Sequence, residues 1–282
     1  MEQKTRFFFT MLICAVLTFV LTFSGMAAEV DEPVLILEAP IEDSTALVLS
    51  APEDSTALVV GDVEDGEEPF QSKKIGQWLD KTFYKLDYAV FKAFSKIQSE
   101  TMTKIVELVT HLGDSEIAIP LLIVGLIMAF FKKTRKVGLT LFFAIILGTL
   151  FTNVILKNVC GRARPYVTLA NDPDFMSWYQ MANAHKESDN SFPSGHTTCA
   201  FEMGMALFLS MKNKKIKWIF PVLAFAVLLT RIYLMVHYVT DVAAGFIVGT
   251  TVAILAYFIV KKILSVEKIA NFDLAEKIKK KA

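Results

Sequence analysis

Cysteine and histidine are scarce in this chain, whose 282 residues hold three of the first and four of the second. Cys14, Cys160 and Cys199 fit no zinc or redox spacing, which argues against a disulfide framework or a cysteine-built metal site. Buried small side chains are the plain reading of all three, with a Cys160–Cys199 bridge left open because both border the same membrane edge. Net charge is missing too, with 29 Lys and Arg against 29 Asp and Glu, but the balance conceals an asymmetry. Residues 29–70 contain no Lys or Arg and thirteen Asp or Glu, so the remainder is clearly basic. What the chain has in quantity is apolar surface. A 54% hydrophobic composition, 23 Phe and a positive mean hydropathy point to an integral membrane protein.

Lys4 and Arg6 precede an apolar run from Phe7 to Phe23, and Ser24-Gly25-Met26-Ala27-Ala28 follows. Residues 1–28 therefore read as a signal peptide cleaved after Ala27 or Ala28, or as an anchor, because the run is nearly long enough to span. Residues 29–72 form an acidic extracytoplasmic segment in which 39–48 is echoed by 51–59. It is too short and too acidic to bury a core, and a disordered tether is expected. Across residues 73–114, Ile75, Leu79, Phe83, Leu86, Val90, Phe94 and Ile97, then Met102, Ile105 and Val109, recur at helical spacing with lysines between them. That pattern predicts two amphipathic interfacial helices, with Ser99 and Thr101 as caps between them and Trp78, Tyr84 and Tyr88 at interfacial depth.

Five spanning segments follow within 115–264, at 117–131, 137–156, 196–211, 216–236 and 242–260. Backbone groups in lipid must be satisfied within the segment, so these are helices. The expected fold class is all-α: a multi-span transmembrane helical bundle with an N-terminal signal segment and amphipathic interfacial helices. Lys132, Lys133, Arg135 and Lys136 lie in one connecting loop and Lys212, Lys214, Lys215 and Lys217 in another, while residues 265–282 make a basic tail. If the spans alternate, all three lie on one face, which the positive-inside rule makes cytoplasmic. The exported N-terminus gives the same orientation. A bacterial cytoplasmic (inner) membrane protein is expected, with its opposite face toward the periplasm or cell exterior.

Three polar clusters fall on that opposite face, each at the edge of an apolar segment: Lys157-x6-Arg164-Pro165, Pro193-Ser194-Gly195-His196 and Arg231-x5-His237-x3-Asp241. Charge at such positions is costly and is rarely kept without a role. Arg164 and Arg231 offer planar forks matching phosphate oxygens, and Lys157 adds a point charge. Ser194 and the amides around Gly195 and His196, at a helix start, make an anion seat. Two histidines permit one to attack phosphorus and the other to protonate the leaving alcohol and later activate water. Asp241, four residues beyond His237, is placed to orient its ring. His237 is thus the better nucleophile and His196 the better acid/base, while Lys and Arg supply the positive charge without a metal. His111 and His185 read as structural or interfacial.

Together these residues resemble the three-part signature of the type 2 phosphatidic acid phosphatase superfamily, over roughly residues 100–260. The resemblance implies a metal-independent membrane phosphatase without a cofactor, with His237 as nucleophile, His196 as general acid and Asp241 orienting His237. It further implies that Lys157, Arg164, Ser194, Gly195 and Arg231 hold phosphate. Thr230 stands where that family usually has Ser before the arginine, and the hydroxyl is kept. The expected reaction is hydrolysis of a phosphomonoester or pyrophosphate on a membrane lipid, with undecaprenyl pyrophosphate, phosphatidylglycerol phosphate, phosphatidic acid and lipid A phosphate as candidates. Phosphotransfer to a second lipid through the same phosphohistidine is the alternative, and a non-catalytic lipid-binding protein is a remote one. The lipid bilayer is the expected partner, and no nucleic acid is. Loop 166–192, with Met176, Trp178, Tyr179 and Met181, is expected to cover the site.

Overall fold

Apolar residues at helical spacing become helices throughout the computed structural model, which describes residues 72–279, and no strand occurs among the described residues. The expected signal segment and all but the last residue of the acidic segment lie outside the described residues. The first helix, α1 (Lys74–Ser95), buries Gly76, Leu79, Asp87 and Phe91 on one face and leaves Trp78, Tyr84 and Leu86 exposed on the other. Ser99 then caps α2 (Glu100–Thr110) by accepting from the Met102 amide at 3.3 Å, which satisfies one of the orphan donors of the first turn. A 3-10 turn, His111–Gly113, leads into α3 (Ser115–Ala129).

The second span is not a plain α-helix. It begins as α4 (Arg135–Thr149), loosens into a π turn at Leu150–Leu156, and ends as α5 (Lys157–Cys160). Two short helices, α6 (Pro165–Thr168) and α7 (Pro173–Ala182), occupy the long connection where only a loop was expected. Then come α8 (Gly195–Ser210), α9 (Ile219–Tyr233) and α10 (Val239–Ile263), followed by α11 (Glu267–Asn271) and α12 (Leu274–Lys279). Pro221 sits in the first turn of α9, where its missing N–H breaks no helical bond.

Among the described residues, four helical runs are long and apolar enough to cross a membrane: Glu100–Ala129, Arg135–Thr168, Ile216–Tyr233 and Val239–Ile263. The first of them joins α2 to α3 in one run. The third expected span, α8, is not among them: it has only 16 residues and lies at the centre, packed by α10, α9 and α4. Its neighbours turn Ile123, Val154, Val222, Phe225, Ile247 and Phe258 outward as an apolar surface suited to lipid. Cys160 and Cys199 are both free, so the open bridge is not formed.

Two glycines set how closely α10 approaches α8. A Cβ at Gly245 would stand 2.8 Å from the Ser194 carbonyl oxygen, and one at Gly249 would stand 2.6 Å from that of Thr198. Small residues of this kind let helix backbones meet in a bundle that lipid surrounds. The contact also fixes the site, since the Ser194 amide donates to the Asp241 carbonyl at 3.1 Å. At the other end of the bundle the buried Arg135 donates to the carbonyls of Ala129 and Ile269, both at 2.7 Å, and ties the C-terminal helices to the α3–α4 turn.

Gly249→Leu should force α8 and α10 apart and destabilise the detergent-solubilised protein by about 1–3 kcal/mol or more, the usual range for overpacking. Thermal unfolding measures this, and an unchanged midpoint would mean that the two helices do not meet as closely as described.

Candidate active site

All eight residues singled out in the sequence lie at one end of the bundle. Lys157 opens α5, and Gly161, in the left-handed region at φ 53, ends that helix and sends Arg162, Ala163 and Arg164 across the bundle mouth. Ser194 caps α8, accepting from the Thr197 hydroxyl at 3.0 Å, and it is fully buried, so its hydroxyl serves the helix start first. Gly195 lies beside the Lys157 ammonium, where a Cβ would make an ordinary contact with Nζ at 3.5 Å. Arg231 ends α9, and Asp241 sits in the first turn of α10, where its Oδ2 accepts from the Tyr238 amide at 3.1 Å.

His237 is fully buried in the turn between α9 and α10. Its Nδ1 faces Asp241 Oδ2 at 3.6 Å, too long for a good hydrogen bond. Ser191 closes the gap: its Oγ donates to Asp241 Oδ2 at 2.5 Å and lies 3.4 Å from His237 Nδ1. On the other side of the ring, Nε2 is 3.3 Å from Arg164 Nη1. Burial, with the nearby Arg164 and Arg231 cations, pushes the His237 pKa down to about 4 against the pull of Asp241. At neutral pH this imidazole is therefore uncharged.

His196, at the start of α8, is held differently. Its Nε2 pairs with Asp114 Oδ1 at 2.6 Å, and the other oxygen of Asp114 meets His111 Nδ1 at 2.6 Å. His111, set aside in the sequence as structural, thus shares a carboxylate with a candidate site residue.

The three cations face two carboxylates from the segment between α7 and α8. Arg231 pairs with Glu187, Arg164 with Glu187 at 2.5 Å and also with Asp189, and Lys157 with Asp189. Arg231 Nη1 also donates to the Thr110 hydroxyl at 2.9 Å, while its buried Nε has no partner. Burial alone would raise both carboxyl pKa values, but the cations outweigh it. Arg231 and Arg164 hold Glu187 well below the usual carboxylate range, and Lys157 and Arg164 hold Asp189 down at about 2. Both acids are ionised at neutral pH.

Arg162 is the residue whose importance the motif spacing hid. It is 0% exposed and meets four side chains: Asp241 Oδ1 at 2.7 Å, Asp80 Oδ1 at 2.7 Å, Asp87 Oδ2 at 3.2 Å and the Thr240 hydroxyl at 2.6 Å. Its guanidinium also lies 3.6 Å from the centre of the Tyr238 ring. Asp87 accepts from the Val239 amide at 3.0 Å as well, so α1 is pinned to both the site and the start of α10. Burial raises the Asp87 pKa to about 6 even with Arg162 beside it. A signal was available in the sequence: Asp80 and Asp87 are seven residues apart and so share one face of α1.

Residues 137–264 match the family described as the PAP2 superfamily. The chain is 32% identical over 162 residues to the bacitracin transport permease protein BcrC of Bacillus licheniformis, covering 57% of this chain and 74% of that protein. It is 35% identical over 186 residues to phosphatidylglycerophosphatase B of Bacillus subtilis, covering 62% of this chain and 81% of the relative. Identity to an undecaprenyl-diphosphatase of Sulfolobus acidocaldarius is 28% over 168 residues, or 59% of this chain and 75% of that one. A crystal structure of the transmembrane PAP2-type phosphatidylglycerolphosphate phosphatase from Bacillus subtilis superposes with a TM-score of 0.53 at 29% identity, over 67% of this chain and 92% of that one.

Removing the cation from a buried ionic cluster costs about 3–5 kcal/mol, because the partner charges stay behind unpaired. Arg162→Gln should accordingly lower the thermal midpoint sharply, and adding Asp87→Asn should recover part of the loss. A double variant no more stable than the single one would show that the two side chains are not coupled.

Proposed function

The chain belongs to the PAP2 superfamily, and from that premise we propose that it hydrolyses a phosphomonoester or pyrophosphate on a membrane lipid head group at the extracytoplasmic face of a bacterial cytoplasmic membrane. The observation that carries this reading is the buried His237, whose Nε2 lies 3.3 Å from Arg164 Nη1, with Arg164 joined to Arg231 through Glu187 and to Lys157 through Asp189. Burial and the arginines favour the uncharged form of its ring. An imidazole in that state has a free electron pair to offer phosphorus, and the cations match the oxygens that phosphoryl transfer leaves charged.

Asp241 and Ser191 hold the proton on His237 Nδ1, which leaves Nε2 as the attacking atom. Nε2 forms a bond to phosphorus as the bond from phosphorus to the lipid oxygen breaks. Lys157, Arg164 and Arg231 balance the charge on the equatorial oxygens, and the amides at the start of α8 add the dipole of a helix N-terminus. His196 gives a proton to the leaving oxygen. In the second half water attacks the phosphohistidine, His196 takes the proton of that water, and inorganic phosphate departs from Nε2. Proton and charge are restored at the end of each cycle. Asp114 holds His196 in this scheme, and Arg162 holds the far oxygen of Asp241.

Two features support the membrane placement. The site lies at the end of the bundle opposite the basic loops 132–136 and 212–217, which the positive-inside rule assigns to the cytoplasm. The surrounding helices are apolar on their outer faces, which suits a bilayer around the bundle and a lipid as the substrate.

Purified protein in detergent should release phosphate from at least one of phosphatidic acid, phosphatidylglycerol phosphate and undecaprenyl pyrophosphate. His237→Ala and His196→Ala should each reduce that release by a factor of about 100 or more, as expected when a nucleophile or a general acid is removed. Rapid quenching of the wild type with labelled substrate should trap an acid-labile phosphoenzyme that His237→Ala lacks. Full activity in His237→Ala would sink the mechanism.

A further inference from the structure

Glu187 and Asp189 together place two negative charges against the three cations of the seat, and no step of the proposed reaction uses them. Their backbone is fixed. The Tyr166 hydroxyl donates to the Glu187 carbonyl at 2.7 Å and accepts from the Glu187 amide at 3.0 Å, and the Ser191 amide donates to the Arg162 carbonyl at 2.8 Å. Their side chains are not buried to the same degree: Glu187 is 29% exposed and Asp189 49%. The carboxylates can therefore turn out of the seat by side-chain rotation while the segment stays where it is.

A lipid phosphate that binds Lys157, Arg164 and Arg231 must take the places these carboxylates hold. A terminal phosphate carries up to two charges, with its second ionisation near pH ~6, so it can replace both acids and leave every cation matched. A phosphodiester carries one charge and only two free oxygens. Exchanging it for the acid pair leaves a cation in a desolvated site short of a partner, or leaves one carboxylate facing the ligand, and both outcomes are unfavourable. Phosphodiester lipids are also what a bilayer presents to such a site in large excess.

We propose, resting on the function given above, that Glu187 and Asp189 are specificity-determining residues. They compete for the seat and admit a terminal phosphate dianion while refusing the singly charged phosphodiesters of the surrounding membrane. Selectivity arises by exclusion, through a built-in competitor of matching charge, rather than through a contact made to the preferred ligand.

The test is binding, not turnover. A long-chain alkylphosphonic acid and its monomethyl ester share the chain and the uncleavable P–C bond, and at mildly alkaline pH they differ in carrying two charges and one. Wild-type protein should bind the dianion more tightly than the ester by about a hundredfold or more. In Glu187→Gln/Asp189→Asn that ratio should shrink by about tenfold or more, mainly because the ester now binds more tightly. A folded double variant with the wild-type ratio, or one that loses affinity for both probes equally, overturns the proposal. If the double variant does not fold, the single substitutions Glu187→Gln and Asp189→Asn decide in the same way, each with a smaller change. Because the readout is binding and not phosphate release, a wild type that fails to release phosphate from any lipid would sink the function proposed above and leave this result standing by itself.

Discussion

Four cationic side chains, Lys157, Arg162, Arg164 and Arg231, are buried at the mouth of an apolar bundle, and such charges are tolerated only where opposite charges and hydrogen bonds meet them. Much of the architecture around the site follows from where those opposite charges come from. Arg162 draws its partners from α1 and from the start of α10. The other three draw theirs from the segment between α7 and α8. Charge pairing thus brings an amphipathic helix and a long connection, neither of which belongs to the central spans, into contact with the candidate active site.

The two groups of charges serve different ends. Around Arg162 the pairing is closed: the guanidinium has no exposure, its forks are filled, and the Tyr238 ring lies beside it. Such a cluster fixes geometry, here the orientation of Asp241 and through it the ring of His237. Around Arg164, Arg231 and Lys157 the pairing is open to exchange, because the acids reach in from a partly exposed segment and one guanidinium nitrogen of Arg231 remains unpartnered. The proposed phosphoryl transfer would draw on both, since catalysis of that kind depends on positioning and on matching developing charge.

Of the five spans that hydropathy marked, four form helices long and apolar enough to cross a membrane, and the bounds of α10 and of the α4–α5 span lie close to those expected. Cluster spacing was equally readable. Lys157 and Arg164 flank a helix end, Ser194 to His196 open a helix, and Arg231, His237 and Asp241 bracket a tight turn, so each set is local in the chain. The residues that escaped notice are those whose partners are remote. Ser191 acts on Asp241 fifty positions away, and Arg162 on Asp80 and Asp87 more than seventy positions away. Asp114, which no motif singled out, meets His196 only because the fold sets α8 beside the start of α3. The π turn inside the second span and the one-turn α6 also left no periodic trace, whereas α7 carried one that was passed over, with Asp172 and Pro173 at its start and Phe175, Tyr179 and Ala182 at helical spacing.

The sequence by itself determined which segments are apolar helices, which face of the bundle carries the polar clusters, and which chemical groups those clusters supply. These properties follow from composition and short-range spacing, which the chain carries before it folds. Only the tertiary structure decided which charges meet. It put Asp241 between His237 and Arg162, gave Asp114 to His196, and set Glu187 and Asp189 against the three cations. Such pairings depend on the close approach of helices distant in sequence, with Gly245 and Gly249 bringing α10 against α8. A buried charge accepts whichever partner that packing delivers, and no local pattern records the choice.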